Sequence, residues 1–175
     1  MRWDEIDSQV CSIARTLSII GDKWTMLILR DCFLGVTRFS DFQKSLGITK
    51  HRLSDRLGKL VDAEILKKHI YDESYRRHEY KLTKKGIELY PVLMSLVSWG
   101  DKWTADKDGA PLEYIHQPCG HKINAGAACE HCDGAVSAFT VTPILGPGIM
   151  KKVKRGELVD FDSQEMYTSI KQKSN

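Results

Sequence analysis

The stretch that most constrains the fold of this chain is FSDFQKSLGITKHRLSDRLGKL, residues 39–60. A short helix that opens at Ser40 would end at Gly47, which permits a tight turn. Thr49 is a suitable N-cap for a second helix that begins at Lys50. Two short helices joined by a glycine turn predict a helix-turn-helix.

The second of these helices has two chemically different faces. Leu53, Leu57 and Leu60 recur at helical spacing, so that side should pack into a core. Basic and polar residues occupy the other positions near the helix start: Thr49, Lys50, His51, Arg52, Ser54 and Arg56. Arg and Lys side chains can contact guanine edges in the major groove of double-stranded DNA. The pattern predicts a recognition helix.

A basic hairpin is predicted directly after this helix. Residues 67–82 alternate in the way that strands do, and the segment DES at 72–74 supplies turn residues. Arg76 and Arg77 lie just past the tip, where they would contact phosphates or the minor groove. A hairpin in this place is the wing of a winged helix-turn-helix.

The charge distribution supports a nucleic-acid partner. The net charge is only +3, but residues 38–85 hold 13 basic and 7 acidic side chains. A concentrated positive field is expected where a phosphate backbone is bound. We see neither a long apolar run nor a leader-like start, so we expect a cytoplasmic protein with no membrane partner.

A last helix is predicted from Thr83 to about Trp103, with a kink or interruption at Pro91. Its apolar residues cover more than one stripe, which is more than one core face requires. We therefore expect one side of it to pack against a second subunit.

These motifs, in this order, resemble the HxlR family of bacterial winged helix-turn-helix transcription regulators over about residues 10–103. The resemblance implies a homodimer, held mainly by terminal helices, on a pseudo-palindromic operator. It implies groove contacts by Lys50, His51, Arg52, Ser54 and Arg56, and backbone contacts by Arg38, Arg76 and Arg77.

Several members of that family sense electrophiles or oxidants through a cysteine just before the first helix. Cys11 occupies that place, which makes it a candidate redox sensor. A helix N-terminus favours a thiolate, which is the reactive form. Ser12 stands where the family often has proline.

The segment PCGHKINAGAACEHCDG, residues 118–134, carries a different kind of site. Cys119, His121, Cys129 and Cys132 supply three thiols and one imidazole, which would complete a tetrahedral zinc site with no position left for a catalytic water. His116 or His131 could replace His121. A metal-free loop with reducible thiols is the alternative.

The predicted fold class is mainly α (α+β): a winged helix-turn-helix with flanking dimerisation helices and a small zinc-ribbon-like extension. We divide the chain into 1–107 for DNA binding and dimerisation, 108–150 for the cysteine-rich extension and 151–175 for a polar tail. The predicted function is a DNA-binding transcription regulator that responds to a redox or small-molecule inducer. The alternatives are a metal or thiol sensor that switches through Cys119, Cys129 and Cys132, and, less favoured, a zinc-dependent enzyme.

Overall fold

The computed structural model describes residues 11–72, 77–124 and 128–157. They form two compact units that divide between Glu88 and Leu89. The first unit contains α1 (Ser12–Ile20), α2 (Lys23–Phe33), α3 (Phe39–Leu46), α4 (Lys50–Asp62), β1 (Leu66–Asp72), β2 (Arg77–Leu82) and α5 (Lys84–Ile87). The second contains α6 (Tyr90–Trp103), β3 (Leu112–His116), β4 (His121–Ile123), β5 (Val141–Leu145) and α7 (Pro147–Lys154). Within the described ranges, no helix combines the length and apolar character needed to span a membrane.

The helix-turn-helix consists of α3 and α4, as the sequence predicts. Gly47 ends α3 in the left-handed conformation, with φ of 59°, which glycine adopts without steric cost. The helix begins at Phe39 rather than at Ser40, and Arg38 occupies the N-cap position without a side-chain capping hydrogen bond. Thr49 is the N-cap residue of α4, but its side chain makes no capping hydrogen bond.

The core of the first unit is built where the helices meet. Apolar side chains from α2, α3, α4 and β1 are almost fully removed from solvent: Ile28, Leu29, Phe42, Leu53, Leu57, Leu60 and Leu66. Burial of side chains of this size contributes about 1.5–3 kcal/mol each. This packing holds one side of α4 inward, so its other side is left to solvent.

The wing is an antiparallel hairpin of β1 and β2, in register from Leu66 opposite Leu82. A bridge between Arg38 and Glu79 adds the residue before α3 to the edge of β2. The Tyr80 amide also donates to the Thr37 carbonyl at 2.8 Å. The hairpin is therefore tied to the start of the helix-turn-helix.

The predicted long helix after Thr83 is interrupted, and the position of the break follows from Pro91. A proline lacks an amide donor, and its ring clashes with the carbonyl four residues earlier. That carbonyl belongs to Ile87, the last residue of α5, and Pro91 lies in the first turn of α6. Proline is tolerated there because first-turn amides have no partner within the helix.

The second unit contains a three-stranded antiparallel sheet in the order β4, β3, β5. The alternating residues after Gly134 predict one or two short strands, and Gly146, Pro147 and Gly148 predict a loop. The structure has a strand at Val141–Leu145 but no loop at residues 146–148. Pro147 instead starts α7, which continues to Lys154 and crosses the predicted boundary at residue 150. The Arg155 guanidinium donates to the buried Asp108 carboxylate, and Lys152 pairs with Asp106 at 2.5 Å. These ion pairs act together with the Gly148 amide, which donates to the Ala110 carbonyl at 2.9 Å, to hold the helix against residues 106–110.

Candidate nucleic-acid interface and metal centre

The solvent side of α4 presents the residues expected of a recognition helix. Leu53, Leu57 and Leu60 are buried, while the side chains at the helix start are exposed. The exposed members of the predicted set are Thr49, Lys50, His51, Arg52 and Ser54. Among the described residues, Lys50 and Arg52 have no carboxylate partner, so both cations face solvent.

Arg56 differs from the other predicted groove residues. It is half-buried, and its guanidinium lies 3.2 Å from the Asp22 carboxylate and 3.6 Å from Asp55. Asp22 also caps α2, because its Oδ1 accepts from the Trp24 and Thr25 amides at 2.9 and 3.2 Å. Asp22 thus joins the start of α2 to the middle of α4. Sequence spacing gave no sign of this contact.

The wing carries the remaining predicted backbone contacts. Arg38 is exposed, and its guanidinium lies 4.9 Å from the centre of the Tyr71 ring, a cation–π distance. Arg77 is exposed at the first residue of β2. Arg76 lies outside the described residues. Cys11, the candidate redox residue, is exposed at the N-cap position of α1.

A second cluster, of one imidazole and three thiols, lies in the unit with the three-stranded sheet. The ligand atoms of His116, Cys119, Cys129 and Cys132 all lie within 4.8 Å of one another. His116 Nδ1 is 3.3 Å from Cys119 Sγ and 3.4 Å from Cys132 Sγ, and the Sγ atoms of Cys119 and Cys129 are 3.6 Å apart.

These separations can be compared with those of a metal site. Four ligands around zinc, at the usual bond lengths, lie about 3.8 Å apart for two sulfurs and about 3.5 Å apart for sulfur and nitrogen. The observed distances of 3.3 to 3.6 Å are close to these values. The donor set therefore fits a tetrahedral ion of the zinc type, and the cluster could hold one.

The imidazole ring of His116 is held with its Nδ1 edge toward the thiols. The residue ends β3 and is fully buried, and its Nε2 is 3.3 Å from the Ala135 carbonyl. A carbonyl can only accept, so the proton belongs on Nε2 and the lone pair of Nδ1 faces the sulfurs. Gly134 lies against the ring: a Cβ there would be 2.9 Å from His116 Cε1 and 3.3 Å from Cys132 Sγ.

The fourth member of the cluster corrects the predicted ligand set. His121, the expected ligand, is exposed, and its ring stacks on that of His131 with centroids 4.0 Å apart. His116 takes its place. The sequence does contain a signal for His116. In HQPC, residues 116–119, two residues separate the histidine from the cysteine, and in CEHC, residues 129–132, two residues separate the two cysteines.

The backbone around the cluster also favours charged sulfur. Burial acts to raise the pKa of the Cys129 thiol, but the amides of His131 and Cys132 and its thiol neighbours bring it below its ordinary value. The Cys119 pKa is raised overall: the His121 amide lowers it, but burial and the adjacent thiols outweigh that effect. Of these two cysteines, Cys129 is the one on which a thiolate is better stabilised. In this turn Asp133 has a positive φ of 53°.

The chain is similar to several known proteins. Residues 19–108 match the HxlR-like helix-turn-helix family. An uncharacterized HTH-type transcriptional regulator of Mycobacterium tuberculosis is 37% identical over 142 residues, which cover 81% of this chain and 90% of that protein. Regulator YdeP of Bacillus subtilis is 33% identical over 55% of this chain and 77% of its own length.

Solved structures give the same result. The structure of PA1607, a candidate transcription factor, has a TM-score of 0.62 and 35% identity, and the match covers 75% of this chain and 92% of that one. The redox regulator HypR, in its reduced form, has a TM-score of 0.50 and 28% identity over 53% of this chain and 92% of its own. The predicted winged helix-turn-helix is confirmed, as is the prediction of a transcription regulator rather than an enzyme. The chain belongs to the HxlR-like helix-turn-helix family.

Proposed function

We propose that this regulator binds double-stranded DNA as a homodimer, through α4 and the wing, and that its second unit holds a structural zinc ion. The observation that supports the DNA interface is the division of α4 into a buried leucine side and a solvent side, on which Lys50 and Arg52 have no carboxylate partner among the described residues. A regulator of this kind acts at the chromosome, so we place it in the cytoplasm.

The contacts differ in kind along the interface. Lys50, His51, Arg52 and Ser54 are in position to contact base edges, because the N-terminal part of a recognition helix enters the major groove. Arg56 must first leave Asp22, so we expect a smaller contribution from it. Arg38, Arg76 and Arg77 are proposed to contact phosphates, which fix position but carry no sequence information.

The test uses a duplex selected by the protein from a random pool, with affinity measured by fluorescence anisotropy. Arg52→Ala should weaken specific binding by about 1–3 kcal/mol. Arg77→Ala should weaken binding to all sequences, and it should reduce the slope of log affinity against log salt concentration by about one. Lys107→Ala is the matched control, because it removes an exposed cation that lies outside the helix-turn-helix and the wing. Equal affinities for Arg52→Ala and this control would contradict the proposed face.

Exposed apolar side chains support the homodimer. Val92, Leu96, Trp99 and Trp103 of α6 follow one another at spacings of four, three and four residues, and 42% to 66% of each is exposed. This spacing produces one continuous stripe along a helix. Ile13 and Leu17 of α1 are also exposed. A second copy of the chain is the occupant that we propose for these surfaces.

The proposed zinc ion would be held by His116, Cys119, Cys129 and Cys132. Bound there it would supply structural cross-linking, because four protein ligands leave no position for water. Elemental analysis of protein purified after a chelator rinse should find about one zinc ion per chain, and its removal should melt the second unit.

We also propose a redox input through Cys11. The similarity to the redox regulator HypR and the exposure of Cys11 directly before α1 support it. Oxidation of Cys11 should change DNA affinity, and Cys11→Ser should remove that response.

A further inference from the structure

The cysteine cluster brings together two thiols from different segments of the second unit. Cys119 lies in the turn between β3 and β4, and Cys129 lies ten residues later, in the short turn bounded by the Ala128–Ala135 bridge. Their Sγ atoms are 3.6 Å apart. A disulfide bond is about 2.05 Å long, so small rotations of the two side chains, over about 1.5 Å in total, would close it.

The cluster is also open to small oxidants. Cys129 is buried with 1% exposure, whereas Cys119 is half-buried and Cys132 is exposed. A hydroperoxide can therefore reach the site from the side of Cys119 and Cys132, and Cys129 is protected from direct attack. This is the usual arrangement of an accessible thiol beside a resolving thiol.

We propose that Cys119 and Cys129 are an oxidation site for hydroperoxides, at which a disulfide forms and the metal is released. The inference rests on the proposed zinc site. The sulfur of Cys119, which must be a thiolate if it is to ligate zinc, attacks a peroxide oxygen, the O–O bond breaks, and a sulfenic acid forms. Cys129 then attacks that sulfur, the S–O bond breaks and the S–S bond forms. Two thiolates, one hydrogen peroxide and two protons thus give one disulfide and two water molecules.

Metal release follows from the loss of ligands. A sulfur in a disulfide no longer carries the thiolate charge that binds zinc, so only His116 and Cys132 remain from a set of four. Two ligands do not retain a structural zinc ion. The disulfide nevertheless joins the turn of Cys119 to the turn of Cys129, as the metal did. The second unit therefore exchanges one cross-link for another. Reduction by a thiol would restore the original site.

The experiment uses the full chain with Cys11→Ser, so that the proposed N-terminal sensor does not contribute. Zinc-loaded protein is treated with hydrogen peroxide. Released zinc is followed with a chromogenic chelator, and disulfides are mapped by mass spectrometry of peptides prepared without reductant. We expect a Cys119–Cys129 disulfide and about one zinc ion released for each disulfide formed. Dithiothreitol and added zinc should reverse both changes.

Variants separate this pair from the other thiols. Cys132→Ser should still form the Cys119–Cys129 disulfide, whereas Cys129→Ser should not. A disulfide that joins Cys132 to either partner, or peroxide treatment that gives only sulfinic acids, would overturn the inference. Protein that carries no zinc as purified and binds none on addition would instead refute the metal site alone, because the disulfide can still be mapped in that material.

Discussion

Single atoms decide whether the cluster of His116 and three cysteines can hold a metal ion. His116 presents Nδ1 to the thiols because its Nε2 faces the Ala135 carbonyl, and the ring fits only because residue 134 has no side chain. The glycine is required here for space, since it is Asp133, not Gly134, that has the left-handed backbone conformation. A group that touches no metal can thus control how well a ligand is oriented.

We expect Gly134→Ala to weaken zinc binding. The added Cβ would lie 2.9 Å from His116 Cε1, so the imidazole must shift away from the sulfurs. Disturbing the groups that orient a ligand typically costs about 10–100-fold in metal affinity. Competition with a chromogenic chelator measures the change. Gly100→Ala, whose Cβ would meet only Thr104 Oγ1 at 3.8 Å, should bind zinc as the parent protein does.

Helix α7 shows how an element can depend on distant residues. Its anchors are Arg155 on Asp108 and Lys152 on Asp106, which lie 47 and 46 positions apart in the chain. Hydrogen bonds from the basic partners hold the pKa of Asp106 and Asp108 below the ordinary value of 3.8, and Glu157 is lowered likewise by Arg155. A carboxylate with a lowered pKa stabilises the folded state above its ordinary pKa and loses that effect as the pH falls.

We therefore predict that α7 stays docked at neutral pH and detaches as the pH falls below about 4, near the ordinary carboxylate pKa. Amide hydrogen exchange across residues 147–157, corrected for its intrinsic pH dependence, measures the docking. Asp108→Asn removes the ion pair with Arg155, so exchange in this variant should already be fast at pH 7 and should change less on acidification. Identical profiles for the two proteins would show that the ion pair does not hold the helix.

The parts of the fold that the sequence predicted depend on local signals. Gly47, Pro91 and the leucines of α4 act on neighbouring residues, so the helix-turn-helix, the hairpin and the helix break could be located in advance. The pairs Asp22–Arg56 and Asp108–Arg155 join residues that are far apart in sequence, and no spacing rule points to them. His116 is an intermediate example. Its HxxC spacing is a local sequence signal, but only the structure, in which it is buried against Gly134, distinguishes it from His121 as a candidate ligand.

For the molecule as a whole, the proposed homodimer depends on the apolar stripe of α6. The apolar stripe of α6 exposes two tryptophans and a leucine, and exposed apolar patches of this kind mark association sites on soluble proteins. A recognition helix contacts only a few base pairs, so two linked copies would gain affinity and specificity together.

We expect Leu96→Glu to shift the protein from dimer to monomer, because it places a charge in the middle of the stripe and would bury it in the dimer. Sedimentation velocity over a range of concentrations measures the association. Binding to the selected operator should weaken in parallel. Lys107→Glu introduces the same side chain at an exposed site outside α6 and should remain dimeric. A dimeric Leu96→Glu protein would place the subunit interface elsewhere.

All four members of the metal-binding cluster come from a single short span of the chain, residues 116–132. Each subunit therefore builds its site without help from a partner. Titration with zinc should follow a simple one-site isotherm, with the same affinity in dilute and concentrated protein. In the proposed homodimer, zinc binding to one subunit should not affect zinc binding to the other, so a cell with limited zinc would contain a graded mixture of empty, half-filled and filled dimers.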